Sequence, residues 1–267
     1  MKVGVLVAGH MRSACNDDGR LLVEQLRHCR QADLGCSAVL STWSEITGST
    51  ATDHKCGSYG QLIFSAGKCK AAMRLNASRC IRHVAREMRA RDVIVRDPYP
   101  PRTMAKYPRT NNLFGAYQQM VEGIIFAARE DHGSDVLLRI RPDINGRGRG
   151  HGGLTLDEYR AVSRLPDGVV RAYDTLRAKW PPRPKFNGVK IRCDNVFVAR
   201  RATFLSFVSA WNETLHRCVD APLHRSCRIP RNLHGHIEWS MALVARRLGM
   251  RLEDPRGRLL LPWYTAR

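Results

Sequence analysis

The chain has 267 residues, of which 43% are hydrophobic, enough to bury a full core without relying on disulfides or a metal to fold. No apolar run approaches the roughly 18 residues of a membrane span, so no stretch of these residues reads as a transmembrane helix. Lysine and arginine total 44 against 24 acidic residues, a net charge of +20 that favours polyanionic partners such as nucleic acid, anionic glycan, a membrane surface or phosphorylated substrates. Most of that charge is arginine spread along the whole chain with no dense block, which is also what a compositional bias would produce.

Taken in chain order, Val3 to Ala8 is a short β-branched run ending at Gly9 and reads as a buried strand. Residues 18–30 carry helical spacing at Leu21, Leu22, Gln25, Leu26 and Cys29. Ala38 to Trp43 reads as a second strand. The Gly-, Ser- and Thr-rich stretch 44–75 has no period and reads as a long loop. A helix is expected over 77–90 and a third strand over Val93 to Val95. Residues 111–130 give the clearest helix, with Leu113, Tyr117, Val121, Ile124 and Ala128 on one face, Thr110 or Asn111 as cap, and Gly133 after its end.

Val136 to Arg141 is the next strand. Thr155 and Glu158 form a capping-box pattern at the start of a short helix. Gly168 to Tyr173 and Asn195 to Ala199 are strands, 202–216 and about 236–248 are helices, and Leu259 to Trp263 is a last short strand. Alternation of strands and helices predicts an α/β class with a mainly parallel central sheet, in a single domain over 1–267. The segments 44–75 and 174–192 exceed ordinary connections and are candidate substrate loops.

Nine cysteines contain no C-x-x-C pair, which argues against a zinc ribbon or a thioredoxin-like site. An odd total leaves at least one thiol unpaired within the chain. Cys56 with Cys69 or Cys80, and Cys218 with Cys227, lie in loop-like segments and are candidate pairs in an oxidising compartment; the alternative is buried free thiols. The sequons Asn76-Ala77-Ser78 and Asn212-Glu213-Thr214 fit a secretory setting. Met1-Lys2, however, precede only a short apolar run before His10, Arg12 and Asp17-Asp18, unlike a signal peptide. As it stands the sequence reads as cytoplasmic. A Golgi or other secretory lumen follows if an N-terminal anchor has been removed.

The stretch Val136-Leu137-Leu138-Arg139-Ile140-Arg141-Pro142-Asp143-Ile144 carries the strongest functional signal. Alternation along a strand puts Arg139, Arg141 and Asp143 on one face and Leu138, Ile140 and Pro142 on the other. In open α/β sheets ligands bind beyond the carboxyl ends of strands. Arginine matches phosphate with a planar fork, and an aspartate there can hold a divalent metal. The plain alternative is an Arg–Asp surface pair. A P-loop, a G-x-G-x-x-G, a G-x-S-x-G elbow and an H-E-x-x-H are all absent. His234-Gly235-His236 is weak evidence for a metal.

Five pieces in order resemble GT-A-type glycosyltransferases of surface-glycan and lipopolysaccharide loci. They are Gly9-His10-Met11-Arg12 after the first strand, Ser41-Thr42-Trp43 ending the second, and Asn111-Asn112 opening the helix that leads to Arg139-Ile140-Arg141-Pro142-Asp143. Asp194-Asn195-Val196 before a strand and His236-Ile237-Glu238-Trp239 at a helix start complete the set. Together they run from about residue 3 to 250.

The resemblance implies a GT-A-like, Rossmann-like fold and transfer of a sugar from a nucleoside-diphosphate sugar to a glycan or related acceptor. Arg141-Pro142-Asp143 stands where that family carries D-x-D. Asp143 is then the candidate ligand of a divalent metal, Mn or Mg, and Arg141 the alternative source of positive charge on the diphosphate. Gly9, Arg12, Asn112 and Arg139 are the other candidate donor-binding residues. Glu238 is the candidate catalytic base, with an ordinary helix-start acid as the alternative. Asp194 is a candidate for an acceptor or donor hydroxyl, with a turn or cap role as the alternative. Trp43, Trp180, Trp239 and Trp263 are candidates for stacking on a sugar or base, with core or rim packing as the plainer reading of each. Two other classes stay open: a basic non-catalytic module for nucleic acid or anionic glycan, and an inactive transferase-like fold. Sequence-specific nucleic-acid binding is not expected.

Overall fold

A computed structural model describes residues 1–9, 11, 13–15, 19–44, 77–97, 120–142, 153–173, 196–220 and 238–259. They form a seven-stranded sheet of β1 (Lys2–Ala8), β2 (Gly35–Trp43), β3 (Asp92–Arg96), β4 (Val136–Ile140), β5 (Val169–Ala172), β6 (Val196–Arg200) and β7 (Arg251–Glu253). The spatial order is β3-β2-β1-β4-β6-β5-β7. β6 is antiparallel to β4 and β5, and every other pairing is parallel. The helices are α1 (Arg20–Gln31), α2 (Ala77–Met88), α3 (residues 120–130), α4 (Leu156–Val162), α5 (Arg201–Asp220) and α6 (Glu238–Arg247).

β1 and β4 are buried on both faces, which is why they read as near-continuous apolar runs. Val3, Val5 and Val7 of β1 pack with Leu22 and Leu26 of α1 and Val84 of α2. Leu6 and Ala8 point the other way, into a core with Val121 and Ile124 of α3 and Phe207 and Trp211 of α5. Helices therefore cover both faces, as a mainly parallel sheet requires.

Local signals act as expected at α4 and α6. Glu158 N–H donates to Thr155 Oγ1 at 3.3 Å and Thr155 N–H donates back to Glu158 Oε2 at 2.8 Å, closing the capping box. Gly249 follows α6 at φ +66°, a conformation that favours glycine. The last strand differs from expectation. β7 is only three residues long, too short to show a period, whereas Leu259 makes a single bridge to Glu253. Residues 111–119 and 260–263 lie outside the described set.

The rim at the amino ends of the parallel strands is tied by a buried carboxylate. Asp131 accepts from Ser37 Oγ at 2.6 Å, Ser134 Oγ at 3.0 Å and Arg201 Nη1 at 3.1 Å. Gly4 makes room for it: a Cβ there would stand 2.6 Å from an Asp131 oxygen.

Two disulfides, Cys15–Cys80 and Cys29–Cys36, join described residues. This removes Cys80 as an alternative partner of Cys56. The 3-10 turn Ser13–Cys15, close after β1, lies against the start of α2 and brings Cys15 to Cys80. Cys56, Cys69, Cys193 and Cys227, and the Cys218 side chain, lie outside the described set. The Asn212 sequon sits inside α5, where Thr214 is buried and its hydroxyl donates to Ala210 O at 2.8 Å, a poor acceptor site in the folded chain.

Candidate active site

The strand order reverses between β1 and β4: β2 and β3 lie to one side and the remaining strands to the other. A crevice outside the carboxyl ends of the strands at such a switch point is the usual ligand position in open α/β sheets. Gly9 follows β1 and Arg141-Pro142 follow β4, so both reach that point.

Gly9 continues the ladder, donating its N–H to Ser41 O at 3.0 Å, with φ +134°. A Cβ at this position would lie 3.3 Å from Pro142 Cδ and 4.0 Å from Arg139 Nη2. The close approach that glycine permits here is thus made in the first place by the chain's own β4 end.

Arg139 keeps its place on the predicted face, but α3 covers that face. Its guanidinium is fully buried, and Nη2 donates to Ala8 O at 3.2 Å and contacts Met120 Sδ at 3.0 Å. Arg139 thereby ties the end of β1 to β4 and α3. Arg141 is half-buried and Pro142 buried at the rim itself.

Because β6 runs antiparallel, the chain enters it at this same rim, with Val196 opposite Ile140. Asp194 precedes that point by two residues and lies outside the described set, as do Arg12, Asn112 and Asp143. Glu238 is the first residue of α6, whose ten residues span about 15 Å and lead to the start of β7. Its backbone therefore lies toward the carboxyl rim of the parallel strands. Its side chain, like that of Trp239, lies outside the description. Trp43 is only 5% exposed and belongs to the core; Trp180 and Trp263 are outside the described residues.

The same rim holds groups that the sequence did not assign to the site. Arg96 at the end of β3 lies 3.9 Å from Glu122 of α3 and over the Phe126 ring, 5.2 Å from its centroid. His216 of α5 approaches Glu122 at 3.2 Å. Ser41 Oγ and Thr42 Oγ1 are buried in β2 with no hydrogen-bond partner among the described residues. A Ser-Thr pair inside an otherwise apolar strand was the available signal for them.

Farther along, Arg171 donates to Glu253 Oε2 at 3.3 Å. Burial pushes the neighbouring Tyr173 phenol up to about 12, against the nearby Arg171 charge and with help from Glu158. Burial also raises Tyr159, so both phenols stay protonated throughout the physiological range. After β7, Asp254 accepts from the backbone N–H groups of Arg256 and Arg258, both at 2.9 Å, and from Arg258 Nε at 2.6 Å. Burial alone would raise its pKa, but these donors and the Arg258 charge together hold it below the ordinary carboxylate range. Among the described residues no group of three or more His, Cys, Asp or Glu converges as a metal site, and no helix is long and apolar enough to cross a membrane.

The chain matches no protein-family model and no curated sequence.

Proposed function

We propose that this protein is a GT-A-like glycosyltransferase that moves a sugar from a nucleoside-diphosphate sugar to a glycan or related acceptor. The observation that carries the reading is the switch point between β1 and β4, with Gly9 and Arg141-Pro142 at its rim. The mainly parallel sheet covered by helices on both faces is what a GT-A-like architecture requires.

In this proposal the diphosphate lies over the β1 and β4 ends, met by Arg141 and by Arg12 and Asn112. Arg139 holds the two strand ends in register beneath it. The described cationic donors at this rim suit a diphosphate better than a bare cation. Stabilisation of the leaving nucleoside diphosphate is therefore assigned to Arg141, where charge grows as the glycosidic bond breaks. No step is routed through a metal, although Asp143 is the carboxylate that would meet Mn or Mg. Glu238 takes the proton of the attacking acceptor hydroxyl, and Asp194 binds a sugar hydroxyl. The two disulfides support an oxidising compartment, in keeping with a secretory lumen.

A thermal-shift panel of nucleoside diphosphates, with and without manganese, tests the class. Saturable stabilisation by one nucleotide is expected; at about 100 times Kd it amounts to about 2.7 kcal/mol. Equal, weak stabilisation by every polyanion, lost by about 200 mM salt, would favour the basic binding module that the charge of +20 permits.

A further inference from the structure

We infer that β3 is a homodimer interface, pairing edge to edge with β3 of a second copy about a two-fold axis through Ile94. β3 is the terminal strand of the sheet, and among the described residues no strand pairs with its outer edge. Ser44 N–H donates to Arg96 O, so Arg96, and by alternation Ile94 and Asp92, turn their backbone groups toward β2. Val93 and Val95 turn theirs outward. Their side chains share one face and are 44% and 48% exposed, among the most exposed large hydrophobic residues described.

Natural edge strands are usually blunted by lysine, proline, a bulge or an inward charge. Val93, Ile94 and Val95 carry none of these. The flanking residues instead make the strand complementary to itself. Within Asp92–Arg96, an antiparallel two-fold at Ile94 sets Asp92 opposite Arg96 of the second copy, while Arg91, whose N–H donates to Ala38 O at 2.8 Å, and Asp97, whose carboxylate accepts from Ser44 Oγ at 2.7 Å, flank the strand. Val93 then meets the other Val95, and Ile94 meets Ile94. Moving the axis by one residue, to Val93, opposes Asp92 to Ile94, and the Asp92–Arg96 match is lost. The strip carries two arginines and two aspartates, net zero, in a chain of +20.

In this register Val93 and Val95 exchange four backbone hydrogen bonds with the second copy. Ile94 and its mate form a non-hydrogen-bonded pair, with Cα atoms about 4.5 Å apart. Asp92 joins the Arg96–Glu122 group of the other chain, and the four valines cluster on one face. This is an isologous contact, the commonest symmetric kind. Its short strand places it at the small, weak end of specific interfaces.

Sedimentation velocity from about 1 to 500 μM, with amide hydrogen exchange at dilute and concentrated ends, tests the inference. We expect concentration-dependent dimers with a Kd of about 10–100 μM, and slower exchange at the Val93 and Val95 amides when concentrated. Val95→Pro removes an outward N–H while leaving the β2 ladder intact, and V95K puts a like charge on both copies. Each variant, shown folded by circular dichroism, should be monomeric where the native chain is dimeric. A native chain monomeric at 500 μM would overturn the inference. So would dimers that survive in both folded variants, or dimers whose Val93 and Val95 amides exchange as fast as in the monomer.

Discussion

Removing the Cys15–Cys80 bridge should cost more stability than removing Cys29–Cys36, by an amount set by loop length. The first closes a sequence separation of 65 and the second one of 7. Loop-closure entropy in the unfolded chain then gives about 4 kcal/mol for the long loop and about 2 kcal/mol for the short one at 25 °C. The variants are Cys15→Ala/Cys80→Ala and Cys29→Ala/Cys36→Ala, unfolded by urea in oxidising buffer. For a chain of this size, with m of about 2–3 kcal/mol/M, the long-loop variant should lose about 1.5–2 M in midpoint and the short-loop variant roughly half of that. The two bridges use four of nine cysteines, so the native chain should titrate at most five thiols when unfolded. Cys15 also anchors the segment that leaves β1 at Gly9, with its N–H donating to Met11 O at 3.1 Å. Nucleotide affinity should therefore fall with the long-loop variant and hold with the short-loop one. Equal midpoints for both variants, or six or more titratable thiols, would refute the pairing and with it the oxidising compartment.

Other outcomes follow from single sites. Gly4→Ala should cost about 1–3 kcal/mol because its methyl collides with the Asp131 carboxylate, and in an Asp131→Ala background the same change should cost far less, which a double-mutant cycle of unfolding midpoints reads directly. Asp143→Ala should abolish sugar transfer with little change in melting temperature, since full turnover would remove this strand end from the mechanism. Glu238→Gln should lower turnover about 100-fold with nucleotide affinity unchanged; retained turnover with a stability loss of about 0.3–1 kcal/mol would mark it as a helix-start acid only. Asp254 has a depressed folded pKa, so its contribution to stability is present above the unfolded value near 4 and is lost as pH falls through the folded one; denaturation midpoints between pH 5 and 2 should fall less steeply in Asp254→Asn. Tyr173, raised to about 12, works in the other direction: the unfolded chain ionises first, so stability drops above about pH 10, and Tyr173→Phe should flatten that slope.

The strands buried on both faces were legible because a sheet covered twice leaves near-continuous apolar runs, as in β1, β4 and β6. The Thr155 cap and the Gly249 stop were legible because their chemistry is local. The face of Arg139 followed from alternation, but its burial did not, because it depends on α3 laying Met120 over that face. The partner of Cys80 depends on a turn 65 residues upstream folding against α2. The reversal of β6 and the existence of β7 depend on sheet order, which no window of residues contains. The Arg96, Glu122 and His216 group joins three elements and has no sequence pattern.

The position of β1 at the switch point also bears on how the chain leaves the ribosome. Its neighbour on one side, β2, is complete at Trp43, but its neighbour on the other begins at Val136. The 92 residues between them take about 5–20 s to synthesise at about 5–20 residues per second. For that interval the nascent chain carries the central strand of its sheet with one edge open and its apolar faces only partly covered. Such a segment is a template for intermolecular pairing. Ribosome-bound chains stalled before residue 136 should recruit holding chaperones, and chains stalled once β4 has emerged from the exit tunnel should release them.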